Sequence, residues 1–358
     1  MSKFKYYPSV FYPQFVVWEI TLACNMNCQH CGSIAGGSKV RKSELDTSEA
    51  LDVCDQLAEL KTQWVTIAGG EPFLRKDLHL IVKRLKEHNI TVSIITNGWL
   101  LEKKIKLLQE VKPDYIGISI DGIAETHDFI RRTKGSFERI SKGFDLLNKK
   151  QIPACAITCV SKLNLNQLED IYNFLYTKNI AGWQLQLIIA EGRGKEHKEW
   201  LPSSDDLLTF TEFIAQKRFE TKFIIYPGDD NIFYCTDPKY YIHNFEWRGC
   251  FAGILAMGIE SDGNIKGCLS QCPELLKNNP FVEGNIRKER LTEIWNKKGA
   301  FAYNRNFDKR KVQGYCRNCS NLDKCRCGCT ATAYAITKSR YKTEYCAYMA
   351  LELKKKGE

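Results

Sequence analysis

Between residues 15 and 218, short β-branched apolar runs alternate with amphipathic stretches, the pattern of βα units wound around a parallel sheet. The apolar runs predict strands over residues 15–21, 64–68, 91–96, 115–120, 154–160 and 183–189. After Asp46 and Thr47, either of which suits an N-cap, Ala50, Val53, Cys54, Leu57 and Leu60 recur at helical spacing, which assigns Cys54 to the core. The period returns in residues 77–88 through Leu78, Ile81 and Leu85, in 136–149 through Ile140, Phe144 and Leu147, and again over 165–178. Six such units curl into a partial (β/α)6 TIM-like barrel, an α/β fold whose catalytic groups belong on the loops after the strands. From about Pro227 the helical period fades and the chain turns cysteine-rich, which predicts a second domain organised around metal. The expected divisions are an N-terminal segment at 1–14, the barrel at 15–226, the cysteine-rich domain with its bridging region at 227–350, and a C-terminal tail at 351–358, with a solvated chain end from Lys354 to Glu358.

Hydrophobic residues make up 44% and charged residues 26% of the chain, ordinary soluble usage that excludes disordered and fibrous classes. No run approaches the roughly 18 apolar residues of a membrane span. The apolar stretch in the first 25 residues is broken by Glu19 and meets no small-residue cleavage pattern, so no secretory signal is expected and the cytoplasm is the expected compartment. The net charge of +10 is dispersed, which predicts a general attraction to acidic partners, an acidic peptide or an electron carrier. Aromatics such as Trp247 and Tyr315 do not interleave with a basic stripe, so nucleic acid is not an expected partner, and without a long apolar run neither is a membrane.

Sixteen cysteines in 358 residues fall well short of the roughly 8–10% of a small disulfide scaffold, and in a reducing compartment metal or iron-sulfur ligation is the better reading. Three lie together near the start and nine crowd the last third, whereas Cys155 and Cys159, on a predicted buried strand, read as small hydrophobes. The first group, Cys24-Asn25-Met26-Asn27-Cys28-Gln29-His30-Cys31, is a C-x3-C-x2-C loop following the first strand. A structural zinc site wants four protein ligands. Three thiolates this close suit a cubane that leaves its fourth iron open, with a zinc site completed by His30 or a remote cysteine as the alternative. The loops after the next three strands carry Gly69-Gly70-Glu71-Pro72, Thr96-Asn97-Gly98 and Asp121-Gly122, so four loops converge on one rim.

In that order and on those strands, the cysteine loop, Gly69-Gly70-Glu71-Pro72, Thr96-Asn97-Gly98 and Ser119-Ile120-Asp121-Gly122 resemble the motifs of radical S-adenosylmethionine (radical SAM) enzymes. The resemblance implies a 4Fe-4S cluster on Cys24, Cys28 and Cys31 whose open iron is chelated by SAM. It further implies reductive cleavage of SAM to a 5'-deoxyadenosyl radical that takes a hydrogen atom from substrate, and a reducing partner such as flavodoxin or ferredoxin. By the same resemblance His30 lies beside the adenine, the carbonyls of Gly69 and Gly70 face the SAM ammonium with the charge of Glu71 nearby, and Pro72 and Asn97 belong to the same cofactor site. Ser119 and Arg131 match the residues for the SAM carboxylate, which a guanidinium fork suits, and Asp121 is placed to accept from ribose hydroxyls.

Cys250, then Gly263 to Cys268, then Cys316-x2-Cys319-x5-Cys325-x3-Cys329 and a closing Cys346, resemble the SPASM extension of the same family, which binds two auxiliary clusters, making three 4Fe-4S clusters in all. By that resemblance the first auxiliary cluster takes Cys250, Cys268 and Cys329, and the second takes Cys316, Cys319, Cys325 and Cys346. The first set is one donor short, which leaves an open iron or calls on Cys272, Cys327 or Cys235, Cys272 being the best candidate.

Two extra clusters give a substrate radical somewhere to send an electron, so net oxidation is expected. The usual substrates of such relatives are ribosomally made peptides or proteins, which acquire thioether or carbon-carbon crosslinks or oxidised side chains; redox-cofactor or small-molecule precursors are the alternative. Leu269 and Gly32 stand where the sulfatase-maturing branch has an acidic and an aromatic residue, which disfavours formylglycine formation. Only about 14 residues precede the first strand, so any leader peptide is expected to be recognised by a separate protein or by the barrel itself. A non-catalytic iron-sulfur electron carrier is the alternative of another class, and it would not need Gly69, Gly70, Glu71, Ser119 and Arg131.

Overall fold

Alternating buried and half-buried positions mark each strand of a parallel sheet in the computed structural model, which describes residues 11–36, 43–228, 249–271 and 279–356. The strands are β1 Phe15–Glu19, β2 Trp64–Ala68, β3 Thr91–Thr96, β4 Tyr115–Ser119, β5 Ala154–Val160, β6 Gly182–Leu187, β7 Ile224–Pro227, β8 Ala256–Ile259, β9 Asn264–Lys266 and β10 Gly284–Asn285. Their order is β10-β9-β8-β1-β2-β3-β4-β5-β6-β7, with β8 and β1 to β7 parallel and the last two hairpin strands antiparallel. This is the expected partial barrel of an α/β chain. The six predicted strands form its centre.

Period-2 alternation divides the sheet into two faces. Val16, Trp18, Val65, Ile67, Val92, Ile94, Ile116 and Ile118 are wholly buried against the outer helices. Their neighbours Val17, Thr66, Ser93, Gly117 and Gln184 line an inner cavity of about 730 Å³ at the N-terminal ends of the strands. The first crossover helix, Thr47–Glu59, starts on a reciprocal cap in which Asp46 accepts from Glu49 N and Glu49 accepts from Asp46 N. Cys54 lies in the core as its spacing predicts.

Three expectations change. Cys155 and Cys159 are half-buried and face the barrel interior, because β5 turns its even-numbered residues, Ala154 to Val160, toward the helices. The cysteine-rich region is not separate from the sheet: β8 pairs with β1 from Phe15↔Ala256 to Trp18↔Ile259, and β7 adds a strand at the other edge. The C-terminal tail is helical through Lys356: the helix Ala347–Lys356 packs on the helix Ser204–Glu220, with Leu351 against the core and Lys354 to Lys356 exposed. Among the described residues no helix is long and apolar enough to cross a membrane.

Candidate metal centre

The loop after β1 holds Cys24 and Cys28 buried and Cys31 half-buried. Cys24 Sγ accepts from Met26 N at 3.4 Å and from Asn97 Nδ2 at 3.8 Å, and Cys28 Sγ accepts from Arg131 Nη1 at 3.7 Å. None of the described cysteines is in a disulfide. Burial pushes the Cys24 thiol up to about 11 and raises that of Cys31, so both stay protonated near neutrality unless a metal displaces the proton. Arg131, at Cys28, and Arg193, which favours the Cys31 thiolate, place two cations beside the loop, as an anionic thiolate-held cluster requires. Among the described residues no three His, Cys, Asp or Glu side chains converge closely enough to hold one metal ion. Three thiols on one loop with two cations beside them fit a cubane in which each thiolate takes its own iron.

The glycine pair after β2 is needed by the protein's own backbone. A Cβ on Gly69 would sit 2.5 Å from Thr21 O and one on Gly70 would sit 2.3 Å from Ala23 O, while Gly70 N and Glu71 N donate to those same carbonyls at 2.7 and 2.8 Å. The pair therefore docks the second loop onto the start of the cysteine loop. Glu71 is fully buried and accepts from Thr96 Oγ1, Asn97 N and Phe73 N, which ties the β2 and β3 loops together. Burial outweighs these donors and pushes its carboxyl up to about 7. Pro72 then opens a single turn, Pro72–Leu74. Asn97 completes the junction, donating to Asn25 Oδ1 at 2.9 Å.

Asp121 is also fully buried. Its Oδ2 takes His30 Nε2 at 2.8 Å and Arg131 Nη2 at 2.6 Å, and its Oδ1 takes Cys159 N at 2.9 Å. The Arg131 guanidinium and the His30 ring outweigh the cost of burial and hold its carboxyl well below the usual range. Asp121 is thus the fixed anion that orients His30 and Arg131. Ser119, at the end of β4, is buried.

A cavity of about 350 Å³ joins the pieces. His30, Gly32 and Gly69 form one wall, Glu19 and Cys159 belong to the barrel interior, and Cys268, Leu269 and Cys329 face them from the C-terminal region. There Cys250 shares a hydrogen bond with Cys329, which with the Arg340 charge holds its thiol well below the ordinary range. Cys316 shares a hydrogen bond with Cys327 and lies within electrostatic reach of Cys319 and Cys346. The described structure thus brings Cys250, Cys268 and Cys329 together, and Cys316, Cys319 and Cys346 together; Cys272 and Cys235 lie outside the described residues.

Sequence reasoning passed over the turn after β6. Gly192 has φ +56, and a Cβ there would stand 2.3 Å from Cys31 O; Arg193 Nε donates to Cys28 O at 2.6 Å, its Nη2 to Ala35 O at 2.8 Å, and its backbone N to Cys31 O at 3.0 Å. This turn clamps the cysteine loop, and the Gly192-Arg193-Gly194 triplet just past a strand was its only signal. His127 was missed too: it accepts from Asp121 N at 3.0 Å, and burial lowers its basicity to about 3, so it is neutral.

The sequence profile of the Radical SAM superfamily matches residues 18–175, and that of the SPASM iron-sulfur cluster-binding domain matches residues 250–320. An AdoMet-dependent heme synthase of Methanosarcina barkeri is 30% identical over 349 residues, covering 94% of this chain and 97% of the relative. The mycofactocin maturase MftC of Mycolicibacterium smegmatis is 27% identical over 90% of this chain and 79% of its own. Among solved structures, Streptococcus suis SuiB bound to S-adenosylmethionine shares the fold with a TM-score of 0.75, at 17% identity over 93% of this chain and 76% of SuiB. SuiB bound to precursor peptide SuiA gives 0.72, also at 17% identity, over 94% and 76%.

Proposed function

Since the chain belongs to the radical SAM superfamily and carries a SPASM domain, we propose that it is an oxidoreductase that removes a hydrogen atom and an electron from a side chain of a ribosomally made peptide. When bound, the cluster on Cys24, Cys28 and Cys31 and S-adenosylmethionine supply the one-electron chemistry that abstracts the hydrogen. The chain positions and shields. Asp121 fixes His30 and Arg131, Gly69 and Gly70 let two loops close on each other, and Glu71 locks Asn97 beside Cys24. Cys250, Cys268 and Cys329 would hold one auxiliary cluster and the later cysteines a second, three in all.

The observation that carries this reading is the shared cavity, in which the SAM-side residues His30 and Gly69 face the auxiliary-side residues Cys268 and Cys329 across the space where substrate must lie. A cluster held by Cys268 and Cys329 would supply an electron acceptor beside a substrate radical formed there. Among the described residues the lining of this cavity carries Glu19 and Glu191 and no lysine or arginine, so it offers no such charge partner to a polycarboxylate and suits a neutral or basic side chain. The second reading, a small-molecule precursor of a redox cofactor, is favoured by the 30% identity to a heme synthase along nearly the whole chain. The +10 charge suits an acidic reducing partner such as flavodoxin or ferredoxin.

Anaerobic reconstitution, SAM and a reductant should release 5'-deoxyadenosine, and no release would leave an electron-transfer protein. Mass spectrometry with a peptide encoded beside this protein should show a loss of two hydrogens; turnover of a porphyrin instead would select the second reading.

A further inference from the structure

Two aromatic residues reach from the protein surface to the first cysteine loop. Trp99 is half-buried and packs on the apolar cluster of Cys24, Met26, Cys28 and Ala35. Its backbone N donates to Asn97 Oδ1 at 3.0 Å, and Asn97 Nδ2 in turn reaches Cys24 Sγ at 3.8 Å. Phe129 lies on the short helix Glu125–Arg131, which is bonded directly to the residue that follows Cys28: Gln29 Nε2 donates to Phe129 O at 2.8 Å and Gln29 N to Ile130 O at 2.9 Å. The Phe129 ring leans on Trp200, with centroids 6.3 Å apart, and is still 56% exposed.

The charge around these rings is an independent observation. Between the helices Leu101–Val111 and Ser136–Lys149 an open pocket of about 580 Å³ takes Trp99, Lys134, Arg139 and Lys142 into its lining. The Arg139 guanidinium stands 4.1 Å from the centre of the Trp99 ring, and its Nη1 donates to Trp99 O at 3.4 Å. Lys103, Arg132, Lys134, Arg139 and Lys142 are exposed here against Glu102, Glu125 and Glu138, and Glu138 is already bound to Lys142 at 2.6 Å. Apolar contact area within an excess of cations fits a partner that presents an apolar centre and a rim of carboxylates. This pocket shares no lining residue with the cavity between His30 and Cys268, so a partner seated on it leaves the substrate's place free.

We propose that this surface, spanning Phe129, Trp99 and the cations around them, docks the reducing partner, an acidic flavodoxin-type protein that presents the apolar edge of its flavin. In each encounter the anionic flavin hydroquinone gives up one electron and becomes the neutral semiquinone, and the oxidised cluster on Cys24, Cys28 and Cys31 takes that electron; no bond forms or breaks. The side chain of Trp99 and the backbone of the Phe129 helix give the electron packed and hydrogen-bonded routes inward. The assignment rests on the reading of the chain as a radical SAM oxidoreductase.

The test uses the anaerobically reconstituted full chain and a purified acidic flavodoxin. The double variant Lys134→Glu, Arg139→Glu should weaken binding at least about tenfold at low ionic strength, and the loss should shrink at about 0.5 M salt. Phe129→Ala should weaken binding too, without that recovery. In both, 5'-deoxyadenosine release driven by flavodoxin should fall with binding, whereas release driven by dithionite should stay at the wild-type rate. Lys309→Glu, Arg310→Glu reverses two exposed cations of the C-terminal region and should bind flavodoxin as the wild type does. Equal weakening in that control, or wild-type binding by the Lys134→Glu, Arg139→Glu chain, would overturn the docking assignment and leave the radical SAM reading standing. A wild-type chain that releases no 5'-deoxyadenosine even with dithionite would defeat that reading, and the assignment with it.

Discussion

The carboxylate of Asp121 lies 2.6 Å from Arg131 Nη2; Asp121 is wholly shut away from solvent and the guanidinium largely so. Replacing Asp121 by Asn would leave a buried guanidinium without its anion. Breaking such a pair from one side costs about 3–5 kcal/mol, so Asp121→Asn should lower the urea midpoint sharply. The double variant Asp121→Asn, Arg131→Gln should be less destabilised than the two singles summed, because they share one interaction. Additivity in that cycle would show that the pair is not coupled.

Gly70→Ala should empty the first cluster and spare the others. The new Cβ meets Ala23 O at 2.3 Å and Leu22 O at 2.7 Å, both backbone atoms that no side-chain rotation can move aside. The cysteine loop must shift, whereas the C-terminal cysteines are untouched. Iron should fall by about four per chain, and 5'-deoxyadenosine release should vanish. Full iron content in this variant would show that the loop tolerates the displacement.

The six central strands were legible because each is a β-branched run whose two faces differ in burial, and period-2 alternation records that difference directly. β7 and β8 escaped notice because they are four residues long, and β8 contains Gly258 and pairs with a strand more than 230 residues earlier. Motif spacing located the cysteines and the loops that follow the strands. It could not tell whether an acidic residue in such a loop faces a ligand or the protein, and Asp121 and Glu71 both turn inward. The orientation of Cys159 was misjudged for a related reason: strand β5 carries small residues on both faces, so composition does not say which face is the lumen.

Glu71 predicts a pH dependence. Its carboxyl lies near 7 in the fold against 4.5 in the unfolded chain, chiefly through burial. Between those values the folded state keeps a proton that the unfolded chain has released. Stability therefore falls as pH rises through that window, by at most about 1.4 kcal/mol per pH unit. Glu71→Gln cannot ionise and should lose this slope while keeping the fold. Urea titrations at about pH 5 and about pH 7.5 compare the two chains, and parallel profiles would mean that Glu71 ionises normally.

Arg193 should govern retention of the first cluster rather than its chemistry. Its guanidinium grips Cys28 O and Ala35 O from a turn some 160 residues away, and hydrogen bonds from a charged donor contribute about 1.5–3 kcal/mol each. Arg193→Gln loses the charge and at least one of these bonds, so the loop should open more often and surrender iron faster to a chelator. Arg193→Lys keeps the charge but not the fork, and should fall between the two. The rate of absorbance loss near the iron-sulfur band under excess chelator measures this directly, with the auxiliary clusters as the internal reference. If the Gln variant bleaches at the wild-type rate, the turn after β6 does not hold the loop, and the backbone bond from Arg193 N to Cys31 O, which substitution leaves in place, is sufficient.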